Sequence, residues 1–225
     1  FVRTHGSDGP FAMMVSFPGP HCPYDPVPEF LERIDPTRMP DPIEAIEADS
    51  GLLRQGNING NKGAWNGVDY SEFSAEHKQK IRAHYAALVE QIDHEVGDIV
   101  ASLEETGQLD NTVIVFSSDH GDYLGDHNLI GKGTFYEGSC HVPLIVRPAG
   151  GGDAVTHDGL VELGDVTATM LGLGGCLVPD YMDSIPLPGT GVETQRVRQR
   201  VVGMVQGGWM LYDGRWKLSK YSTGD

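Results

Sequence analysis

The sequence predicts an α/β fold that ends in a small antiparallel hairpin element. Three observations predict it. Residues 74–105 carry one apolar stripe at helical spacing, two short β-branched runs follow at 112–116 and 143–147, and the last stretch reads as strands around Asp213-Gly214. A length of 225 residues suits one substantial domain, or one with a small appendage, and is enough to bury a core.

Taken in order, residues 11–17 (FAMMVSF) are apolar, with a β-branched residue and two aromatics, and run into Pro-Gly-Pro. This predicts a buried strand that opens into a loop with His21 at its mouth. Residues 18–70 are rich in Pro, Gly and Asn with little periodicity, and predict a long excursion with short helical turns of the kind that shapes a cleft. Ile81, Tyr85, Leu88, Ile92, Val96, Ile99 and Leu103 recur at steps of three or four, and predict a helix capped by Ser74 and stopped by Gly107. Strands are expected at Thr112–Phe116 and Pro143–Arg147, and a short helix at Val161–Leu173 with Asp165 near its start. VVGMVQ and WMLYDGRWKLSKY predict the closing strands, because Asp-Gly suits a hairpin turn.

The net charge of -16 speaks against a general nucleic-acid binder, since phosphate backbones are held by basic patches. It leaves room for an anionic substrate held by a few local cations or a metal. No apolar run reaches the length of a membrane span, so no membrane partner is expected. Residues 1–10 lack a basic start followed by an apolar core, and localisation is not readable. Cys22, Cys140 and Cys176 are odd in number and lack metal-type spacing. The chain begins at Phe1 rather than Met, as a processed or incomplete product does.

In open α/β sheets ligands collect at the carboxyl ends of strands. Asp119 and His120 directly follow one predicted strand and His21 follows another, and a carboxylate with an imidazole suits a divalent cation. An isolated Asp-His-Gly is usually only a turn signal. Lys132, in a Gly-Lys-Gly setting that lets a ligand approach the backbone, shifts the reading toward chemistry.

SSDHG, GDHNLIGKGTFYEGS and HVPLIVRP, in that order, resemble the C-terminal half of the sulfatase family, within the alkaline-phosphatase-like superfamily. VSFPGPHCPYDP is similar to the family strand that delivers an active-site histidine. IDHEVGDIVASLEETGQLDNTVIVFSSDHG is similar to its helix-strand unit, and DVTATMLGLGG and WMLYDGRWKLSKY to its later helix and hairpin. The likeness covers most of the chain apart from roughly residues 30–70 and implies a mixed sheet flanked by helices. It divides the chain into a partial α/β domain over 1–195, lacking N-terminal strands, and the start of an antiparallel subdomain over 196–225.

The resemblance implies that Asp119 and His120 are ligands of a divalent metal, most often calcium in sulfatases, with magnesium and manganese left open. It implies Lys132 against the sulfate and bridging oxygen, and His21 on the leaving-group side. Asp126 and His127 are expected to order the loop or support the site from behind. Tyr136 and Glu137 are expected to pack or brace. His141 stands where the family usually has arginine. Trp65 and the NINGNKG stretch are candidates for lining a pocket for a small-molecule or sugar sulfate ester.

The family's nucleophile is a formylglycine made from a Cys/Ser-x-Pro-x-Arg motif, which this chain lacks. No cysteine has proline two residues on, and Ser16-Phe-Pro-Gly-Pro20 ends in Pro. Two further acidic metal ligands are likewise expected in a missing N-terminal part. The chain is therefore expected to be a fragment without turnover of its own, with an exposed sheet edge that favours self-association. The rival readings are a phosphate or phosphonate ester hydrolase of the same superfamily and a non-catalytic module with a vestigial site.

Overall fold

The computed structural model of the chain describes all residues other than 7, 47–51, 63–68, 71–72, 206 and 223–225. Its helices are α1 (Val2–His5), α2 (Pro28–Leu31), α3 (Leu52–Gly60), α4 (Ala75–Glu105), α5 (Glu137–Cys140) and α6 (Gly164–Leu173). Its strands are β1 (Ile114–Ser117), β2 (Leu144–Arg147), β3 (Val201–Val205), β4 (Gly208–Tyr212) and β5 (Lys217–Tyr221). Two compact units are interleaved along the chain. One comprises Phe1–Met14, Val100–Asp119 and Pro143–Lys220, and the other Val15–Ile99, His120–Val142 and Tyr221–Asp225.

Helix α4 starts where Ser74 Oγ accepts the His77 amide at 3.2 Å. It stops at Gly107, whose φ of 69° only glycine adopts freely. There the Gln108 amide donates to the Leu103 carbonyl (2.8 Å) and the Gly107 amide to that of Glu104 (2.9 Å), which satisfies the last carbonyls.

In the first unit β1 and β2 pair antiparallel, from Ile114 opposite Arg147 to Ser117 opposite Leu144. The predicted strand over residues 11–17 is not formed. The segment carries no strand assignment, and Met13, Met14 and Val15 are exposed. An apolar run marks a tendency to be buried, but a strand also needs a neighbour to complete its ladder. Strands β3, β4 and β5 form a separate antiparallel sheet in that order. The turn predicted at Asp213-Gly214 lies between β4 and β5 and takes in residues 213–216. Asp213 Oδ1 accepts the amides of Arg215 (2.9 Å) and Trp216 (2.7 Å), so the carboxylate organises the turn while Gly214 takes a φ of 93°.

The second unit has a core of Ile58, Tyr70, Tyr123, Leu129 and Ile130, with Tyr24, Phe73, Ile81 and Tyr136 packed around it. Ile58 belongs to α3, whose Asn- and Gly-rich sequence has poor helix propensity, so burial and side-chain bonds hold the helix. Leu129 and Ile130 lie just before Gly131-Lys132. Burying each contributes roughly 1.5–3 kcal/mol and fixes the chain from which the lysine projects.

Candidate active site

Lys132 and His21, 111 residues apart in sequence, meet in the second unit with Nζ 2.6 Å from Nε2. Nδ1 of His21 lies 2.8 Å from the Cys22 carbonyl oxygen. A carbonyl can only accept, so Nδ1 carries the hydrogen and Nε2 presents its lone pair to the Lys132 ammonium. The His120 ring stands edge-on to that of His21 at 6.0 Å between centroids. Its Nδ1 is 2.9 Å from the Gly121 carbonyl oxygen, which by the same logic leaves the lone pair on Nε2.

The main chain on both sides of Lys132 is pinned. Asn57 Nδ2 donates to the Lys132 carbonyl at 2.6 Å, and the Gly131 amide donates to Asp122 Oδ1 at 2.9 Å. Gly131 and Gly133 have φ of 79° and 124°, so the flanking glycines are required by the backbone turn itself. Asn57 in turn bonds Tyr70, whose hydroxyl burial pushes up to about 12 and so keeps protonated as a donor.

Asp122 and Tyr24 complete this arrangement and went unnoticed in the sequence. Tyr24 donates to Asp122 Oδ2 at 2.8 Å, and Oδ1 also accepts the Leu124 amide at 3.0 Å. Burial raises the Asp122 carboxyl above the usual range, opposed by the two amides, the Tyr24 hydroxyl and the Lys132 charge. Burial beside that carboxylate raises Tyr24 as well. The available signals were a carboxylate between the two Asp-His pairs and a tyrosine three residues after His21.

Asp126 and His127 face other partners. Asp126 Oδ1 accepts the Ile43 amide (2.8 Å) and an Arg82 guanidinium N–H. The His127 carbonyl accepts two bonds from Arg54, and its ring stacks on Tyr136 at 4.1 Å. Glu137 pairs with His141 Nδ1 at 2.9 Å one helical turn on, an exposed contact in which that histidine takes the Glu137 carboxylate. Gly121 is held by close approach, because a Cβ there would lie 2.2 Å from the Gly138 carbonyl oxygen. Trp65 lies outside the described residues.

Asp119 is the last residue of its stretch in the first unit, exposed and two residues beyond β1. Calcium takes six to eight oxygen ligands and magnesium near-octahedral oxygen. No group of three or more metal-binding side chains is assembled among the described residues. The described residues therefore do not by themselves build a coordination shell of that size.

Comparison with known proteins gives this arrangement its context. The Sulfatase family model matches residues 1–176. The chain is 31% identical over 193 residues to an arylsulfatase of Clostridium perfringens, a match that spans 83% of this chain and 38% of that protein. It is 34% identical over 190 residues to the multifunctional alkaline phosphatase superfamily protein PehA of Trinickia caryophylli, covering 76% of this chain and 35% of that one. The chain thus spans well under half the length of these relatives. Among solved structures, the phosphonate monoester hydrolase of Agrobacterium radiobacter superposes with a TM-score of 0.79 at 26% identity, over 99% of this chain and 51% of that one. The fold is that of sulfatases and the alkaline-phosphatase-like proteins, as the resemblance of the motif series implied. With the family model matched from residue 1 to residue 176, across both His21 and Lys132, the chain belongs to the sulfatase family.

Proposed function

We propose that the protein hydrolyses sulfate esters and that this chain supplies the lysine, the leaving-group histidine and two of the metal ligands of its site. The observation that carries the reading is the 2.6 Å approach of Lys132 Nζ to His21 Nε2. In that pair an ammonium N–H of Lys132 points at the imidazole lone pair of His21. Lys132 would face the sulfate oxygens, and a proton of the pair would pass to the ester oxygen as the S–O bond breaks. The Cys22 carbonyl keeps His21 in the tautomer that receives the proton at Nε2.

Sulfatases generally use a divalent metal and a formylglycine. Asp119 and His120 would be ligands of that metal, calcium by preference with magnesium and manganese as alternatives, together with ligands this chain does not supply. When bound, the metal would draw negative charge off the sulfate oxygens. The chain contains no Cys/Ser-x-Pro-x-Arg segment. That segment would supply the attacking group, and we expect no turnover from this chain alone.

Calorimetric titration of the chain with sulfate in calcium-containing buffer tests the reading. Changing Lys132 to alanine should weaken binding about tenfold or more, the scale of a lost charge-assisted bond. Equal affinities would remove the lysine from its role, and aryl sulfate hydrolysis that Lys132→Ala abolishes would overturn the expected inactivity. A second reading, a phosphonate monoester hydrolase, is favoured by the likeness to the Agrobacterium radiobacter enzyme. Binding of a phenylphosphonate in preference to sulfate would support it.

A further inference from the structure

We infer that Asp122 is a positioning residue that sets the separation of Lys132 from His21, by tying the segments that carry them to one carboxylate. The inference rests on the reading of Lys132 and His21 given above. His21 belongs to the irregular stretch after residue 17, and Lys132 to a loop more than a hundred residues later, so neither segment's local structure fixes their distance. Asp122 reaches both. Its Oδ2 takes the hydroxyl of Tyr24, three residues beyond His21 (2.8 Å), and its Oδ1 takes the amide of Gly131, the residue before Lys132 (2.9 Å). A carboxylate has about four acceptor sites, and the Leu124 amide at 3.0 Å takes a third.

A purely structural role, closing the loop between Asp122 and Gly131, is already filled by other bonds. The Tyr123 amide donates to the Gly131 carbonyl (2.9 Å) and the Gly125 amide to that of Leu129 (2.8 Å). The Tyr123 hydroxyl bonds Thr134 beyond the lysine, at 2.7 Å to its Oγ1 and 2.8 Å from its amide. The loop thus has its own closure. What Asp122 adds is the link across to Tyr24, itself oriented by Tyr85 edge-on at 6.3 Å and by His84 Nδ1 on its carbonyl at 2.9 Å.

The test is a double-mutant cycle on the 225-residue chain. Tyr24→Phe removes one hydroxyl and keeps the ring, and Asp122→Asn is the partner variant. Tyr24→Phe should weaken sulfate binding about tenfold, as loss of a partner that orients a ligand does. In the Lys132→Ala background it should change affinity by less than about twofold, because a positioning residue acts through the lysine. Histidine-labelled chain gives a readout independent of sulfate, the nitrogen shift of His21 Nε2 at fixed pH. Tyr24→Phe and Asp122→Asn should move it toward its value in Lys132→Ala and should leave it unmoved when added to that variant. A wild-type shift in both variants, or equal sulfate losses with and without Lys132, overturns the inference. If wild type and Lys132→Ala bind sulfate equally, the role proposed for Lys132 falls, and the Nε2 shift alone decides that of Asp122.

Discussion

Arg198 offers a direct measure of how burial sets the worth of an ion pair in this chain. Its Nη1 lies 2.9 Å from Glu162, and its Nη2 bonds Asp165 Oδ1; its side chain is 9% exposed, that of Glu162 23% and that of Asp165 1%. Asp165 also accepts the Ile185 amide (2.8 Å) and the Glu162 amide (3.0 Å), which fastens the start of α6. Arg198→Met keeps most of the side-chain volume and strands two carboxylates, one fully buried. Breaking such a pair costs about 3–5 kcal/mol. The lower end applies, because Asp165 keeps two amide donors and Glu162 keeps partial contact with water. The Nε of Arg198 is buried without a hydrogen-bond partner among the described residues, which also lowers the worth of the intact cluster.

The internal control is Arg3, whose Nε lies 3.0 Å from Glu105 with side chains 62% and 60% exposed. Arg3→Met should cost about 0–1 kcal/mol. Urea unfolding with unchanged m-values reads both. The expected gap is about 2–3 kcal/mol. A gap below about 0.5 kcal/mol would show that burial does not distinguish the two pairs and would refute this account of Asp165.

Two further outcomes follow from the geometry. Burial, joined by Asp165, raises the Glu162 carboxyl above the 4.5 of a free glutamate despite Arg198, so the folded chain holds that proton more tightly than the unfolded chain. Its contribution is fully present below 4.5 and is lost as pH rises through the raised folded value. Urea melts across that window should show stability declining with pH, with a flatter profile in Glu162→Gln. Gly121→Ala would place a Cβ 2.2 Å from the Gly138 carbonyl oxygen, and both are backbone positions with little room to shift. A loss of about 1–3 kcal/mol is expected, read by thermal melting, with displaced His120 ring resonances; a wild-type melt would show that the approach can relax.

Elements whose signal is local could be read directly from the sequence. The stripe of α4, its Ser74 cap and Gly107 stop, and the β-branched runs of β1 and β2 all lie within a few residues of the structure they specify. Where the determinant is a distant partner, the sequence misleads or is silent. FAMMVSF has the composition of a buried strand, yet Met14 is 88% exposed. Helix α3 has weak propensity and is held by Ile58 in the core and by Asn57 on the Lys132 carbonyl, 75 residues away. The site divides the same way. The adjacency of Asp119 and His120 and the Gly-Lys-Gly setting are visible in the chain, whereas the bond from Tyr24 to Asp122 crosses 98 residues.

The loop from Asp122 to Lys132 also shows why a second Asp-His pair lies so close to the first. Leu124, His127 and Asn128 all have positive φ, near 50°, a conformation that costs non-glycine residues of order 1–3 kcal/mol each. Cations are arrayed against that turn. Arg82 bonds the Leu124 carbonyl at 3.0 Å and the Asp126 carboxylate, Lys78 one helical turn earlier bonds the Asn128 side chain, and Arg54 takes the His127 carbonyl. Charge-assisted bonds contribute about 1.5–3 kcal/mol each, enough to offset the strain. A segment that carries this much strain against this many specific bonds is specified for position rather than for stability. Asp126 and His127 belong to that holding machinery, and what the loop holds in place is Lys132, two residues after the buried Ile130 and 2.6 Å from His21.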